Sequence, residues 1–121
     1  GAYVWIGLKN SQCPFQQSTD FKNIELKTGK VIAAEKVEKS DKLLKLQVQI
    51  GDEKRQIISG IAEYYSPEDL LNNMIVVVTN LKPATIFGNE SYGMLLAAKK
   101  GKDLTLVTVD DGNVSSGMEV Y

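Results

Sequence analysis

The chain has 121 residues, 24% of them charged, and a formal net charge of -1, which is the composition of one globular domain large enough to bury a core. It contains no histidine and a single cysteine, so the commonest general base is absent and a structural zinc site or an internal disulfide is excluded. Because phosphate-binding loops of the GxxxxGK[ST] or GxGxxG type are also missing, we expect a binding protein that needs no cofactor or metal, with an enzyme built from carboxylates and lysines as the alternative.

Residues 1–19 differ in composition from the rest of the chain. The apolar run YVWIGL begins at Tyr3, and the polar, proline-containing stretch after it is typical of a connector. The beginning has neither an initiator methionine nor the layout of a signal peptide, so we interpret the chain as a piece of a longer protein. We expect residues 1–19 to be a linker or the remnant of a preceding domain, partly docked because Trp5 and its neighbours would be unfavourable in water. Residues 20–121 are expected to form the folded domain.

Nothing in the sequence indicates a membrane or an oxidising compartment. No apolar run approaches the ~20 residues that a bilayer-spanning helix needs. The lone Cys13 cannot form an internal disulfide. We therefore expect a cytoplasmic protein without a membrane partner.

Three strands are predicted in the first half of the domain. Ile24–Val37 shows the alternation of a strand, interrupted by Gly29, where a bulge or bend would help a small barrel to curl. Leu44–Ile50 alternates apolar and polar residues and predicts a half-buried strand. Gly51–Lys54 predicts a hairpin turn, and Arg55–Ile58 predicts the returning strand.

A short helix and further strands are predicted in the second half. Ser66 can cap a helix that has Pro67 at its first position and extends to about Asn72. The β-branched run Met74–Thr79 predicts a buried strand, and Met94–Ala98 predicts another. The remaining pattern is a turn at Gly101–Asp103, an alternating strand at Leu104–Val109, turns at Asp110–Asn113 and Ser115–Gly117, and a final stretch Met118–Tyr121.

The order of these elements favours one fold class. Three strands, a helix and two strands are the order of a five-stranded oligonucleotide-binding (OB) barrel, with its short helix between strands 3 and 4. The remaining C-terminal strands would be an extension of this all-β fold. A small sandwich is the competing architecture, but the position of the helix favours the barrel.

Several motifs follow one another in an order and spacing that resemble a known family. They are GKV at Gly29–Val31, SDKLLKLQVQIGDEKRQIISGIA at Ser40–Ala62, YYSPEDL at Tyr64–Leu70 and NLKPATIFGNESYGMLLAA at Asn80–Ala98. From Asp20 to Tyr121 the chain is similar to the tRNA-binding OB domain that is appended to the C-terminus of many methionyl-tRNA synthetases or occurs as a free-standing dimer. A related domain is part of the human cytokine-like synthetase cofactor and of human tyrosyl-tRNA synthetase.

The resemblance implies an OB domain that grips the outer corner of tRNA, where backbone shape matters more than sequence. The resemblance also implies that four residues of this chain contact RNA: Asn80, Lys82, Ser91 and Met94. Amide, ammonium and hydroxyl groups can bind phosphate or a 2′-hydroxyl, and a methionine can lie on a sugar or a base. The alternatives are that Asn80 braces the loop, that Lys82 is a solvated turn lysine and that Met94 belongs to the core.

Basic residues before the midpoint of the chain give further candidates. Between Lys22 and Arg55 there are nine bases and six acids, an excess of +3. Lys30, Lys42 and Arg55 lie on or beside strands that form the binding face of OB folds. Solvated strand faces explain the same charges equally well.

Phe87 stands where the sequence departs from the family. Many relatives have two basic residues between Pro83 and Gly88, where this chain has ATIF. The change lowers the expected attraction for phosphate but offers Phe87 as a surface on which a base could stack. Packing of Phe87 against Ile86 and the barrel end is the alternative, and Tyr92 has the same two interpretations.

The resemblance implies a non-catalytic domain of a methionine–tRNA ligase, joined in cis to the catalytic synthetase domain, that recruits tRNA. It also implies a homodimer formed through residues 101–121, for which Leu104, Leu106, Val107 and Val109 supply apolar surface. Packing within the monomer is the alternative. The competing functions are a free-standing dimeric tRNA-binding protein, a CsaA-like export chaperone that binds unfolded peptides, and an OB domain for single-stranded DNA, which would want more aromatic residues.

Overall fold

The computed structural model describes residues 18–110 and 114–121. The predicted linker up to residue 17 and part of the turn predicted at residues 110–113 lie outside the described residues. In chain order the elements are α1 (Ser18–Lys22), β1 (Leu26–Lys36), β2 (Leu44–Ile50), β3 (Glu53–Ser59), α2 (Pro67–Leu70), β4 (Met74–Val78), β5 (Ala84–Ile86), β6 (Asn89–Ser91), β7 (Met94–Leu95), β8 (Ala97–Lys100), β9 (Asp103–Leu106) and β10 (Glu119–Val120). None of the helices in these two stretches is long and apolar enough to cross a membrane.

One curled antiparallel sheet dominates the molecule, with strand order β3-β2-β1-β4-β7. The curl brings the stretch between β6 and β7 against the free edge of β3, where the Tyr92 N–H donates to the Gln56 carbonyl at 2.8 Å. The strands β1 to β4 together with the β6–β7 stretch are the five strands of the predicted OB barrel. Helix α2 lies between the third and fourth of them, which confirms the predicted fold class.

The core follows from the alternation in the strands. Every second side chain of β2, from Leu44 to Ile50, is buried, while the intervening residues are partly exposed. Strand β4 is buried from Ile75 to Val78, as expected for a strand covered on both faces. Each fully buried Leu, Ile or Val contributes about 1.5–3 kcal/mol to folding. The main cluster consists of Val31, Leu44, Leu46, Val48, Ile50, Ile57, Ile61, Leu70, Ile75, Val77, Leu95 and Leu106.

Strand β1 runs without interruption through Gly29, which differs from the predicted bulge at that residue. The register with β2 shifts between Val31 and Ala33 instead. At Gly29 the requirement is space, because an added Cβ would lie 2.5 Å from the Val48 Cγ1 atom on the adjacent strand β2. The glycine therefore lets the curled strand approach its neighbour closely.

Several predicted elements have different bounds in the structure, and the strand predicted over Leu104–Val109 already ends at Leu106. Helix α2 ends at Leu70 rather than near Asn72, whose left-handed backbone (φ 67°) turns the chain back to β1. The prediction of a single buried strand over Met94–Ala98 is wrong, since β7 ends at Leu95 and β8 pairs with β9 in a separate, exposed hairpin. Only Leu95 of that stretch is buried.

The C-terminal extension returns to the start of the barrel. Strand β10 pairs with β1, and the Thr28 hydroxyl donates to the Ser115 carbonyl at 2.7 Å while it accepts the Met118 N–H at 2.9 Å. Gly117 lies directly on Gly51, in the turn between β2 and β3. Residues 110 and 114, on either side of 111–113, are thus part of the same fold.

Candidate nucleic-acid interface

The segment Asn80–Gly93 leaves the barrel after β4 and rejoins it before β7. Its middle is the β5–β6 hairpin, in which Ala84 faces Ser91 and Ile86 faces Asn89. The sequence predicted a loop here, and the hairpin escaped prediction because its three-residue strands are too short to show an alternating pattern. The segment carries four of the residues predicted to contact RNA, and a fifth follows directly after it (Asn80, Lys82, Phe87 and Ser91, then Met94).

Asn80 holds the beginning of the segment to the start of β1. Its side-chain oxygen accepts the Glu25 N–H at 2.9 Å, and its amide nitrogen donates to the Asn23 carbonyl at 2.8 Å. Both functional groups of the side chain are therefore occupied within the protein. The geometry favours the bracing role, and contact of the exposed Asn80 with RNA stays a prediction.

The neighbouring Thr79 joins the same two elements. Its hydroxyl donates to the Glu25 carboxylate at 2.6 Å, and its N–H donates to the Glu25 carbonyl at 2.9 Å. The Thr79 hydrogen bond, followed by the charge of Lys27, holds the pKa of Glu25 below its ordinary value.

Arg55 reaches both ends of the segment from β3. One guanidinium nitrogen donates to the Thr79 carbonyl at 2.6 Å and to the Tyr92 carbonyl at 3.2 Å. The Nε atom donates to the Glu53 carboxylate at 2.7 Å, and this contact lowers the pKa of Glu53. The guanidinium is thus engaged within the protein, and Arg55 acts on the interface by fixing the segment that carries it.

Ser91 lies inside the fold and not on its surface. It is 4% exposed, its hydroxyl accepts the Ile58 N–H at 3.0 Å and donates to the Gly93 carbonyl at 3.1 Å. Gln56, which lies on β3 with Ile58, makes a second contact with the hairpin, because its side-chain amide donates to the Glu90 carbonyl at 2.8 Å. Both residues dock the hairpin onto β3, and no free group of Ser91 faces solvent for the predicted phosphate contact.

The outer surface of the segment carries one lysine, one glutamate and several apolar side chains. Lys82 is exposed, and Met94 is 49% exposed, which excludes the alternative that Met94 belongs to the core. Leu81, Pro83 and Tyr92 line a depression of about 370 Å³ together with Lys54, Arg55, Glu53 and Thr79. The Tyr92 hydroxyl donates to Glu90, and this contact raises the pKa of Tyr92.

Lys30 and Lys42 lie apart from this segment. Lys30 faces Met74 at the beginning of β4, whereas Asn80 follows the end of that strand. Lys42 lies in the loop between β1 and β2, where its carbonyl accepts the Ala62 N–H at 3.0 Å. The structure leaves both lysines exposed but does not bring them to Asn80.

A groove at the tip of the β5–β6 hairpin contains basic residues that were not among the predicted RNA contacts. Phe87 and Asn89 form one wall, and the end of β1 with its following loop forms the other. The groove holds about 460 Å³ and is lined by Glu35, Lys36, Val37, Glu38, Lys39, Lys45, Phe87 and Asn89. The excess of bases before Arg55 was the available signal, but charge alone could not show which lysines meet the hairpin.

Comparisons with known proteins identify the family to which the chain belongs. The family model described as a tRNA binding domain matches residues 26–118. The chain is 55% identical over 101 residues to a methionine–tRNA ligase of Thermotoga maritima, which is 84% of this chain and 16% of that ligase. It therefore spans less than a fifth of the length of this relative.

Two solved structures resemble the chain over most of its length. A MetRS related protein from Pyrococcus horikoshii has a TM-score of 0.80 and 34% identity, covering 96% of this chain and 100% of the other. The CsaA chaperone protein from Picrophilus torridus has a TM-score of 0.79 and 25% identity, covering 87% of this chain and 98% of the other.

Proposed function

Because the chain belongs to the family of tRNA-binding domains, we propose that it binds the outer corner of tRNA through the surface of the segment Asn80–Gly93 and Met94. The family membership was predicted from the motifs, and the match over residues 26–118 confirms it. The contact surface, the oligomeric state and the parent protein are parts of the proposal.

The bracing of an exposed segment is the observation that best supports this surface. The side chains of Arg55, Asn80 and Ser91 donate hydrogen bonds to backbone carbonyls of the segment and of the residues next to it. Lys82 and Met94 are exposed on the framework that results. A rigid surface loses little entropy on binding, and the lysine supplies charge for phosphate while the methionine can lie on a sugar.

We propose that the parent protein is a methionyl-tRNA synthetase that carries this domain in cis and works in the cytoplasm. The high identity to ligases and the small share of their length that the chain covers support this proposal. The domain itself needs no catalytic residue or cofactor, since its task is to hold tRNA near the catalytic domain.

A homodimer through residues 101–121 is the oligomeric state that we propose. Leu106 is buried within the monomer, so it is not available for a partner, whereas Val107, Met118 and Tyr121 are exposed apolar residues of this region. Their exposure supports the proposal, because a second copy would remove this surface from water.

A peptide-binding chaperone is the second candidate. The solved CsaA chaperone shares the fold, and Leu81, Phe87, Tyr92 and Met94 offer exposed apolar groups that an unfolded peptide could contact. Lys82 within the same surface favours an anionic ligand instead.

Filter binding of bulk tRNA at two salt concentrations tests the proposal. Affinity should fall steeply as salt rises, and Lys82→Ala should reduce the slope of log K against log salt by about 0.7–0.9, the value for one phosphate contact. The matched control is Lys100→Ala, which removes an exposed lysine of β8 and should leave the slope unchanged. Binding to unfolded polypeptide without binding to tRNA would contradict the proposal in favour of the chaperone.

A further inference from the structure

Two loop tips with unusual backbone conformations face each other across the groove at the hairpin tip. Among the described residues, the non-glycine residues with positive φ are Lys39 (68°), Asn72 (67°) and Phe87 (50°). Asparagine tolerates this conformation, but lysine and phenylalanine rarely adopt it. Lys39 and Phe87 both line the groove.

Phe87 occupies a position where another residue would suit the turn better. It is followed by Gly88 (φ 77°), and the two residues link Ile86 to its partner Asn89. Positive φ at both central residues is the type I′ turn, for which Asn-Gly is the favoured sequence. Phe87 is also 67% exposed, so it gains little from burial.

A backbone outlier at an exposed aromatic residue points to a function that outweighs its cost. The ring projects beside Lys36, Lys39 and Lys45, which face Glu35 and Glu38 in the same groove. Three lysines against two glutamates leave one excess positive charge, and the Lys45–Glu35 pair at 3.7 Å leaves Lys36 and Lys39 against Glu38. A ligand suited to this groove therefore combines a flat π surface with negative charge.

We propose that the groove between Lys39 and Phe87 binds an unpaired nucleotide of the RNA, whose base stacks on Phe87 and whose phosphate lies against Lys36 and Lys39. The proposal rests on the proposed tRNA binding and adds a second subsite to it. Stacking on an aromatic ring accepts any base, since every base has a π face. A peptide would gain as much from a branched aliphatic side chain as from an aromatic one at this position.

Substitutions of Phe87 separate the ring from the backbone strain. Phe87→Asn suits the turn but lacks the ring, Phe87→Leu keeps the strained backbone without the ring, and Phe87→Trp keeps both. Affinity for tRNA should follow the ring, so Asn and Leu should weaken binding by about 5- to 150-fold while Trp matches the wild type. Thermal stability should follow the backbone, so Asn should be more stable than the other three.

A short RNA oligonucleotide with one 2-aminopurine reports stacking directly. Its fluorescence should be quenched by the wild type and by Phe87→Trp, and not by Phe87→Leu or Phe87→Asn. Lys39→Asn should relieve strain at its own tip, raise stability and lower the salt slope by about 0.7, the value for a single-stranded phosphate contact.

The outcomes distinguish this proposal from the one on which it rests. Absence of tRNA binding by the wild type would overturn both. Wild-type binding that Phe87→Asn and Phe87→Leu leave unchanged would overturn the nucleotide subsite alone. Unaltered binding by Phe87→Leu with loss in Phe87→Asn would also overturn it, because an apolar contact and not stacking would then be the cause.

Discussion

Arg55 fixes the interface through the geometry of its guanidinium and not through its charge alone. The side chain donates to the carbonyls of Thr79 and Tyr92 and pairs with Glu53. A lysine has one nitrogen in place of this planar fork and cannot reproduce the three contacts. Removing them leaves the two ends of the segment less tightly held.

We therefore expect Arg55→Lys to destabilise the domain by about 1–2 kcal/mol and to weaken tRNA binding without changing its salt slope. Urea unfolding and filter binding measure the two effects, and Lys100→Arg is the matched control at an exposed base of β8. Unchanged affinity in Arg55→Lys would mean that the residue serves as a plain charge for phosphate.

Glu25 gives the domain a defined response to acid. Its contact with the Thr79 hydroxyl and the charge of Lys27 lower its pKa below the ordinary 4.5. The unfolded chain takes up the proton first as the pH falls. The contribution of Glu25 to stability is therefore complete above pH 4.5 and is lost below it, as the pH falls through the folded-state pKa.

Glu25→Gln should accordingly be less stable than the wild type at neutral pH, and the difference should shrink as the pH falls below 4.5. Urea midpoints across this range measure it. Glu63→Gln changes an exposed glutamate after β3 and serves as the control. A stability difference that stays constant with pH would show that the amide loses packing or a hydrogen bond and not a charge interaction.

At the scale of single residues the sequence did not predict which side chains of the segment Asn80–Gly93 are exposed. The NLKP and ESYGM motifs lie at the two ends of this segment, each next to a core strand. Whether Ser91 points outward depends on the register of β6, which is set by contacts with Ile58 and Gln56, 33 and 34–36 residues earlier. Nothing local to Ser91 encodes that register.

Among the elements, the C-terminal extension depends on a contact between two glycines. A Cβ added at Gly117 (φ 83°) would lie 2.7 Å from both the Cα and the N of Gly51. Gly101 (φ 60°) also has a left-handed backbone, but a Cβ there would meet nothing within 4 Å. Comparing Gly101 with Gly117 therefore separates the free-energy cost of a left-handed backbone from the cost of steric crowding.

Gly101→Ala should lower the free energy of unfolding by about 1–2 kcal/mol, because alanine is unfavourable in a left-handed backbone. Gly117→Ala should lower it by about 1–3 kcal/mol more, because the turn at Gly51 must also move. Urea unfolding of both variants measures the difference. Equal costs would show that the turn can shift freely and that the extension is loosely attached.

The elements that the sequence predicted well are those whose environment is uniform along their length. The alternation of β2 and the β-branched run of β4 each reflect constant burial, and both were confirmed. Met94–Ala98 looked like one such run, but the chain changes partner at Leu96, from β4 to β9. A change of partner leaves no mark on the apolarity of neighbouring residues, so the break was not predictable.

On the scale of the whole molecule, the core and the proposed binding surfaces lie in different parts of the fold. The core cluster lies between β1, β2, β3 and β4, while the groove and the segment Asn80–Gly93 lie outside it. The fold class was predictable because the order of strands and helix is set by burial and turn chemistry. The groove was not predictable, because it forms between the β1–β2 loop and the β5–β6 hairpin. Lys39 and Phe87, which line it, are about 50 residues apart in the chain.

Attachment in cis decides what a weak binding domain can contribute to its parent. Phosphate-and-shape binding has a Kd of about 10⁻⁴–10⁻⁶ M. A short tether presents the tRNA at an effective concentration of about 10⁻³ M. The ratio of the two predicts that the domain strengthens tRNA binding by the proposed parent ligase by about 10- to 1000-fold.

Deleting the domain from that ligase should therefore raise KM for tRNA by up to this factor and leave kcat unchanged, because the catalytic centre is untouched. Steady-state aminoacylation with tRNA as the varied substrate measures both constants. The separated domain, added back at micromolar concentration, should restore little activity, since the effective concentration comes from the covalent link. A fall in kcat at constant KM would contradict the tether and indicate that the domain shapes the catalytic centre itself.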